Sequence, residues 1–161
     1  MQYFTAGESH GKGIITVISG LPAGLRIDPE LINSDLKRRR LAAGRGPRMA
    51  KETDSFEILS GLRHNKTIGT PITLFIPNKR LLIDTLPPLT NVRPGHIDIA
   101  GAMKLLSHDA RLAAERASAR ETVGRVAAGA IAKQLLGLFN INTLGYATAI
   151  TDIKAQPAPA H

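Results

Sequence analysis

The sequence predicts an α/β fold in a single domain, and three patterns carry that prediction. Residues 13–20 form a run rich in Ile and Val, and residues 71–77 form a second apolar run bounded by prolines, as buried strands do. Residues 28–44 and 118–137 carry apolar side chains at helical spacing between start and stop signals. At 161 residues, the chain can bury one core but not two of ordinary size.

The first predicted strand is residues 2–6, and a glycine-bracketed turn, GESHG at residues 7–11, follows it. Such a turn lets the backbone approach a ligand closely and presents Ser9 and His10 at its tip. A surface turn with an incidental histidine has the same pattern. The glycines alone therefore do not decide whether this turn binds anything.

The first predicted helix has a strong start signal in Asp28 as N-cap, Pro29 at the first helical position and an early acidic residue. The helix is predicted to end at Gly44. A basic segment without acidic residues begins in its last turns and continues beyond it, and contains Lys37, Arg38, Arg39, Arg40, Arg45, Arg48 and Lys51. These like charges repel one another unless an anion lies among them. A solvated basic loop is the plain alternative, but the GRGPR turn at residues 44–48 favours a shaped loop.

The middle of the chain predicts strands at residues 55–60 and 71–77, with a polar loop between them. Residues 78–91 show no clear pattern. The RPGH tetrapeptide at residues 93–96 predicts a tight turn that presents an arginine and a histidine. A helix over residues 97–107, capped by Asp98, is predicted next.

The most informative stretch surrounds the start of the last helix. Ser118 and Glu121 stand three residues apart before an apolar-periodic run, which is the capping-box pattern, and Gly137 is a plausible stop. The first turn carries Arg116 and Arg120, and a helix start flanked by arginines suits a bound anion. A solvated cap with two surface arginines is the competing interpretation.

Beyond that helix we predict a strand over residues 140–150. The Pro-Ala end of the chain cannot continue regular structure. We therefore place the domain at residues 1–152 and a disordered tail at residues 153–161.

Composition narrows the class of partner. A net charge of +8 implies an anionic partner, but aromatic residues make up only 4% and are scattered, so no platform for stacking nucleic-acid bases is visible.

No apolar run reaches the ~18 residues that span a bilayer. The absence of cysteine and of a secretory signal fits a cytoplasmic protein without membrane contact. No histidine or acidic cluster has metal-ligand spacing.

Five motifs together resemble one enzyme family. The early GESHG, then GRGPRM, RPGHID, ERASARET and RVAAGAIAKQLL occur in the order, and mostly at the spacing, found in chorismate synthase of the compact bacterial form. The resemblance implies the layered β-α-β sandwich of that family. It also implies a lyase of the shikimate pathway that converts 5-enolpyruvylshikimate 3-phosphate to chorismate by 1,4-elimination of phosphate, with reduced FMN.

The resemblance assigns roles to particular residues. It implies that His10, beside Ser9, protonates the departing phosphate, and that His96 lies near the flavin. The implied clamp for the phosphorylated dicarboxylate substrate is Arg39, Arg45, Arg48, Arg93 and Arg120. Arg116, Ala117 and Ser118 match an FMN-binding segment. Arg39 and Arg45 also match positions tied to NADPH in members that reduce their own flavin.

The chain departs from the family in length. Family members are about twice as long, and the absent half supplies further flavin-binding segments. The family is tetrameric, so we expect a homo-oligomer or a complementary C-terminal half as partner. The alternative is a truncated relative that binds anions without catalysis. The family's Asn-x-Asp motif is also incomplete, because Asn78, Lys79 and Arg80 lack its Asp.

Overall fold

The computed structural model describes residues 1–41 and 52–155. The strands are β1 (Gln2–Ala6), β2 (Gly13–Ser19), β3 (Glu57–Ser60), β4 (Leu62–Arg63), β5 (Lys66–Thr67), β6 (Ile72–Pro77), β7 (Ala149–Ile150) and β8 (Ile153–Lys154). The helices are α1 (Pro29–Leu41), α2 (Asp98–Leu105), α3 (Arg111–Arg116) and α4 (Thr122–Gly137), with a 3₁₀ turn at Ala119–Glu121. The predicted α/β class is confirmed.

A four-stranded antiparallel sheet forms the frame, in the order β1-β2-β6-β3. Because side chains alternate between the faces of a strand, β2 and β6 each present every second residue to the core. Those core residues are Ile14, Thr16, Ile18, Ile72, Leu74 and Ile76. The other face is more open, and Phe4 on β1 is 69% exposed.

Helix α4 lies against the core face of this sheet and α1 packs beside it. The predicted apolar stripe of α4 is confirmed, since Val123, Ala127 and Ile131 are buried. A side-chain clasp joins the two helices, because Gln134 accepts a hydrogen bond from the Asp28 amide at 2.7 Å and donates to the Asp28 carbonyl at 3.2 Å. The clasp fixes the start of α1 against the end of α4.

Several local predictions are confirmed. Strands β1, β2 and β6 lie where the sequence predicts them, and Asp28 caps α1 by accepting from the Glu30 amide at 2.9 Å. The strand predicted over residues 55–60 begins two residues later, at Glu57.

Within the described residues, no helix has the length and apolar character needed to cross a membrane.

Other local predictions are wrong. Asp98 does not cap α2, because its side chain turns inward to an ion pair. The strand predicted over residues 140–150 is reduced to β7, which pairs with β8 in a two-residue hairpin. Strand β8 lies at the start of the predicted tail, and the domain boundary at residue 152 stays a prediction. Residues 156–161 of the tail lie outside the described residues.

The close approach of α4 to the sheet depends on Gly124. A Cβ added there would stand 2.6 Å from the Thr16 hydroxyl and 3.0 Å from Thr5 Cγ2. We expect Gly124→Ala to lower the free energy of unfolding by roughly 1–3 kcal/mol through overpacking. Gly129→Ala, on the same helix with open space around its Cβ, should raise it by roughly 0.5–1 kcal/mol.

Urea denaturation of both variants measures this difference. If Gly124→Ala were as stable as Gly129→Ala, α4 would not pack on the sheet as closely as the structure has it.

Candidate active site

The loop that carries Ser9 and His10 is fastened by a buried asparagine. Asn78 Nδ2 donates to the carbonyls of Glu8 and Gly11, at 2.9 and 2.8 Å, and the Asn78 amide donates to the Lys12 carbonyl at 3.0 Å. The side chain of Asn78 therefore satisfies the two backbone carbonyls on the inner side of the turn. These hydrogen bonds hold the loop in place, although the loop has no regular secondary structure.

The same loop is held from its other side by Glu115, at the end of α3. The Ser9 amide donates to the Glu115 carbonyl at 3.0 Å, and the His10 amide donates to Glu115 Oε2 at 2.8 Å. The imidazole Nδ1 of His10 lies 2.9 Å from Glu115 Oε1. The carboxylate is buried, so these hydrogen bonds form away from bulk water.

The RPGH turn forms a second histidine–carboxylate unit. The Asp98 side chain is fully buried and accepts from the Arg93 amide and Nε, both at 2.9 Å, and from Arg93 NH2 at 2.9 Å. His96 Nδ1 lies 2.6 Å from Asp98 Oδ1. The hydrogen bonds from Arg93 outweigh the effect of burial and hold the pKa of Asp98 well below its usual range.

The two histidines converge on one cavity of about 240 Å³. Its walls come from the first loop, the RPGH turn, α3 and the segment before α4. They include Ser9, His10, Arg93, His96, Glu115 and Ser118. Two imidazoles, a hydroxyl and arginine donors around so small a space have the chemistry that anion binding and proton transfer require.

Two of the predicted substrate arginines lie elsewhere, in a buried ionic cluster. The side chains of Arg39 and Arg120 are 3% exposed, and both donate to the buried carboxylate of Asp54. Arg120 Nε also donates to Asn78 Oδ1 at 2.7 Å, and Arg39 NH2 donates to the Ala119 carbonyl at 2.9 Å. Neither arginine lines the cavity, although Arg39 lies directly behind one of its wall residues, Ala119.

The segment predicted to bind FMN is divided between two surroundings. Ser118 lines the cavity, whereas Arg116 NH2 donates to the carbonyl and hydroxyl of Thr5, at 2.6 and 2.7 Å. Arg116 NH1 is buried and has no hydrogen-bond partner among the described residues. Ala117 is exposed, and its amide ends α3 by donating to the Ala113 carbonyl at 2.9 Å.

The capping box predicted from Ser118 and Glu121 is wrong. Ser118 caps the short 3₁₀ turn by accepting from the Arg120 amide at 3.3 Å, so the continuous helix starts later than the pattern indicates. Glu121 accepts instead from the Thr5 hydroxyl at 2.6 Å and from Arg125 Nε at 2.8 Å.

Arg45 and Arg48, the remaining predicted substrate arginines, lie outside the described residues. In the described part of the chain, no group of three or more histidine, cysteine or acidic side chains is arranged to hold a metal ion.

Sequence reasoning missed the residues that hold the site together: Asn78, Glu115, Asp98 and Asp54. Glu115 and His10 are 105 positions apart, and no spacing rule links them. Asn78 had a weak signal, because it begins the incomplete Asn-x-Asp motif. For Asp98, the sequence predicts only a helix cap.

Comparison with known proteins places the chain in one family. A family model described as chorismate synthase matches residues 1–160. The chorismate synthase of Symbiobacterium thermophilum is 45% identical over 98% of this chain and 44% of its own length. That of Thermoanaerobacter pseudethanolicus is 50% identical over 97% of this chain and 45% of its own length.

A solved structure agrees with these relatives. A crystal structure of chorismate synthase matches 86% of this chain at 42% identity, with a TM-score of 0.67, and this chain covers 34% of it. The chain thus spans less than half the length of the relatives that it matches.

The Asp98 ion pair predicts a pH dependence of stability. Because the pKa of Asp98 is depressed in the folded protein, its stabilising contribution is complete above the unfolded pKa of an aspartate, about 4. It is lost as the pH falls below that value, since the unfolded chain then binds the proton first. We expect the stability difference between wild type and Asp98→Asn to shrink as the pH falls from about 6 towards 2.

Denaturant unfolding at several pH values measures this difference. Asp28→Asn is a suitable control, because Asp28 lies at an exposed helix start. A wild-type to Asp98→Asn difference that stays constant with pH would contradict the ion pair.

Proposed function

Because the chain belongs to the chorismate synthase family, we propose that it supplies the substrate-side part of an enzyme that forms chorismate from 5-enolpyruvylshikimate 3-phosphate. The reaction removes phosphate and a ring proton in a 1,4-elimination. The observation that carries the proposal is the convergence of His10 and His96 on one small cavity with an arginine beside them. A phosphorylated dicarboxylate needs cationic donors, and its departing phosphate needs a proton.

Arg93 and Arg111 supply the positive charge at the cavity. The Arg93 side chain is 51% exposed, so part of its guanidinium remains accessible while it holds Asp98. We propose that these arginines bind the anionic groups of the substrate, and that Arg39 and Arg120 act by supporting the cavity wall. The roles of Arg45 and Arg48 in the substrate clamp rest on the family resemblance.

In this proposal His10 donates a proton to the departing phosphate, with the Ser9 hydroxyl beside it. His96 exchanges a proton at the opposite wall of the cavity. An imidazole suits both tasks because its ordinary pKa lies near neutral pH. Asp98 and Glu115 orient the two rings, and the buried ionic cluster keeps the walls apart.

Reduced FMN, when bound, supplies an electron-rich ring next to the substrate. Of the predicted FMN-binding residues, Ser118 lines the cavity and offers a hydroxyl that suits a flavin or its phosphate. Arg116 does not line the cavity and its Nη1 is buried, so its role in binding FMN rests on the family resemblance. A volume of about 240 Å³ is below the roughly 300–1,000 Å³ of ligand pockets, so these residues form only part of a flavin site. Use of NADPH through Arg39 and Arg45 is supported by the resemblance alone.

In this proposal, another polypeptide segment supplies the rest of the flavin site. We propose a second copy of the chain, as in the family's tetramer, or the half that longer relatives contain. Exposed apolar side chains such as Phe4 and Leu106 support such a contact. We also propose that the protein acts in the cytoplasm, as expected from its sequence.

Turnover of histidine variants tests the proposed function. The chain is mixed with the C-terminal half of a relative and reduced FMN, and chorismate formation is measured. We expect His10→Ala and His96→Ala each to lower kcat by roughly 10²–10⁴-fold, because each removes an acid–base group. His108→Ala, at an exposed position away from the cavity, should leave kcat unchanged.

Calorimetry with the phosphorylated substrate separates the alternatives. Binding by the isolated chain without turnover in the mixture would favour an anion-binding relative over an enzyme. Full activity of the His10→Ala variant would overturn the proposed acid.

A further inference from the structure

Glu115 contacts the loop of His10 at three points. Its backbone carbonyl accepts from the Ser9 amide at 3.0 Å, and its Oε2 accepts from the His10 amide at 2.8 Å. The imidazole Nδ1 lies 2.9 Å from Oε1 and 3.0 Å from Oε2. The carboxylate is only 6% exposed, and Arg111 NH1 lies 3.8 Å from it. A buried carboxylate on a neighbouring helix thus defines both the backbone position and the ring orientation of the histidine.

This contact also selects which imidazole nitrogen carries the proton. An ionised carboxylate can only accept hydrogen bonds. The nitrogen that faces Glu115, which is Nδ1, must therefore be the protonated one in the neutral ring. The lone pair then lies on Nε2, so Nε2 is the nitrogen that takes up and returns a proton during catalysis.

We propose that Glu115 is the positioning residue of His10, which fixes the Nδ1-protonated tautomer and so makes Nε2 the nitrogen that exchanges the proton. The inference rests on the proposed function, in which His10 acts on the substrate. It extends that function to a residue 105 positions away, directly before the predicted flavin segment.

The substitution Glu115→Gln tests the proposal because it reverses the tautomer. The introduced amide has one acceptor and one donor in place of two acceptors. With its oxygen kept on the His10 amide in the place of Oε2, its NH₂ group takes the place of Oε1, the oxygen nearer to Nδ1. The ring satisfies that donor by moving its proton to Nε2, so the wrong nitrogen carries the lone pair.

Nitrogen-15 NMR of the imidazole, on the chain without substrate or cofactor, reads the tautomer directly. We expect protonated Nδ1 for His10 in the wild type at a pH where the ring is neutral, and protonated Nε2 in Glu115→Gln. The His96 signals, beside Asp98, should not change and serve as an internal control. Asp98→Asn is the matched variant, which should alter His96 and leave His10 unchanged.

A wild-type His10 with Nε2 protonated, or a tautomer that Glu115→Gln leaves unchanged, would overturn the proposal. If the Glu115→Gln variant does not fold, the tautomer of His10 in the wild-type spectrum tests the proposal by itself. In the reconstituted enzyme, Glu115→Gln should lower kcat about 10²-fold with little change in KM. Since the NMR measurement needs no turnover, failure of the proposed function would be seen separately.

Discussion

The buried guanidinium of Arg120 links the layers on which the site depends. It lies where the 3₁₀ turn meets α4, donates to Asp54 and, through Nε, donates to the side-chain oxygen Oδ1 of Asn78. Asn78 in turn fastens the loop of His10. A guanidinium offers five donors in a fixed fork, so it can hold a carboxylate and an amide at once, in a geometry that lysine cannot copy. Removal of such a buried partner leaves charges without compensation, which is costly.

The buried cluster distinguishes the arginines that support the structure from the arginine that is accessible at the cavity. Arg39 and Arg120 are paired below the cavity with two buried carboxylates, Asp54 and Glu52, whereas Arg93 stands at its rim and is half-exposed. Each imidazole at the cavity faces a buried carboxylate, Glu115 for one and Asp98 for the other. The arrangement orients the rings before any ligand arrives, so binding does not have to supply that order.

The sequence predicted the regular frame well and the polar interior poorly. Strands β1, β2 and β6 and the stripe of α4 follow from local periodicity, which a single segment contains. The contacts of Glu115 and Asn78 join segments far apart in the chain, and no local pattern encodes them. The capping box of Ser118 and Glu121 failed for a related reason, since the Glu121 carboxylate accepts from the hydroxyl of Thr5 on a distant strand. Motif resemblance succeeded because it carries such long-range information indirectly.

Hydrogen exchange at the Ser9 and His10 amides tests most directly whether this polar interior holds the site rigid. Both amides lie in a turn without regular structure, yet both donate to Glu115. We expect both amides to exchange about as slowly as the amides at the centre of β2, because their release requires the buried cluster of Arg120, Asp54 and Asn78 to open. Exchange at the rate of an unprotected surface loop would contradict it.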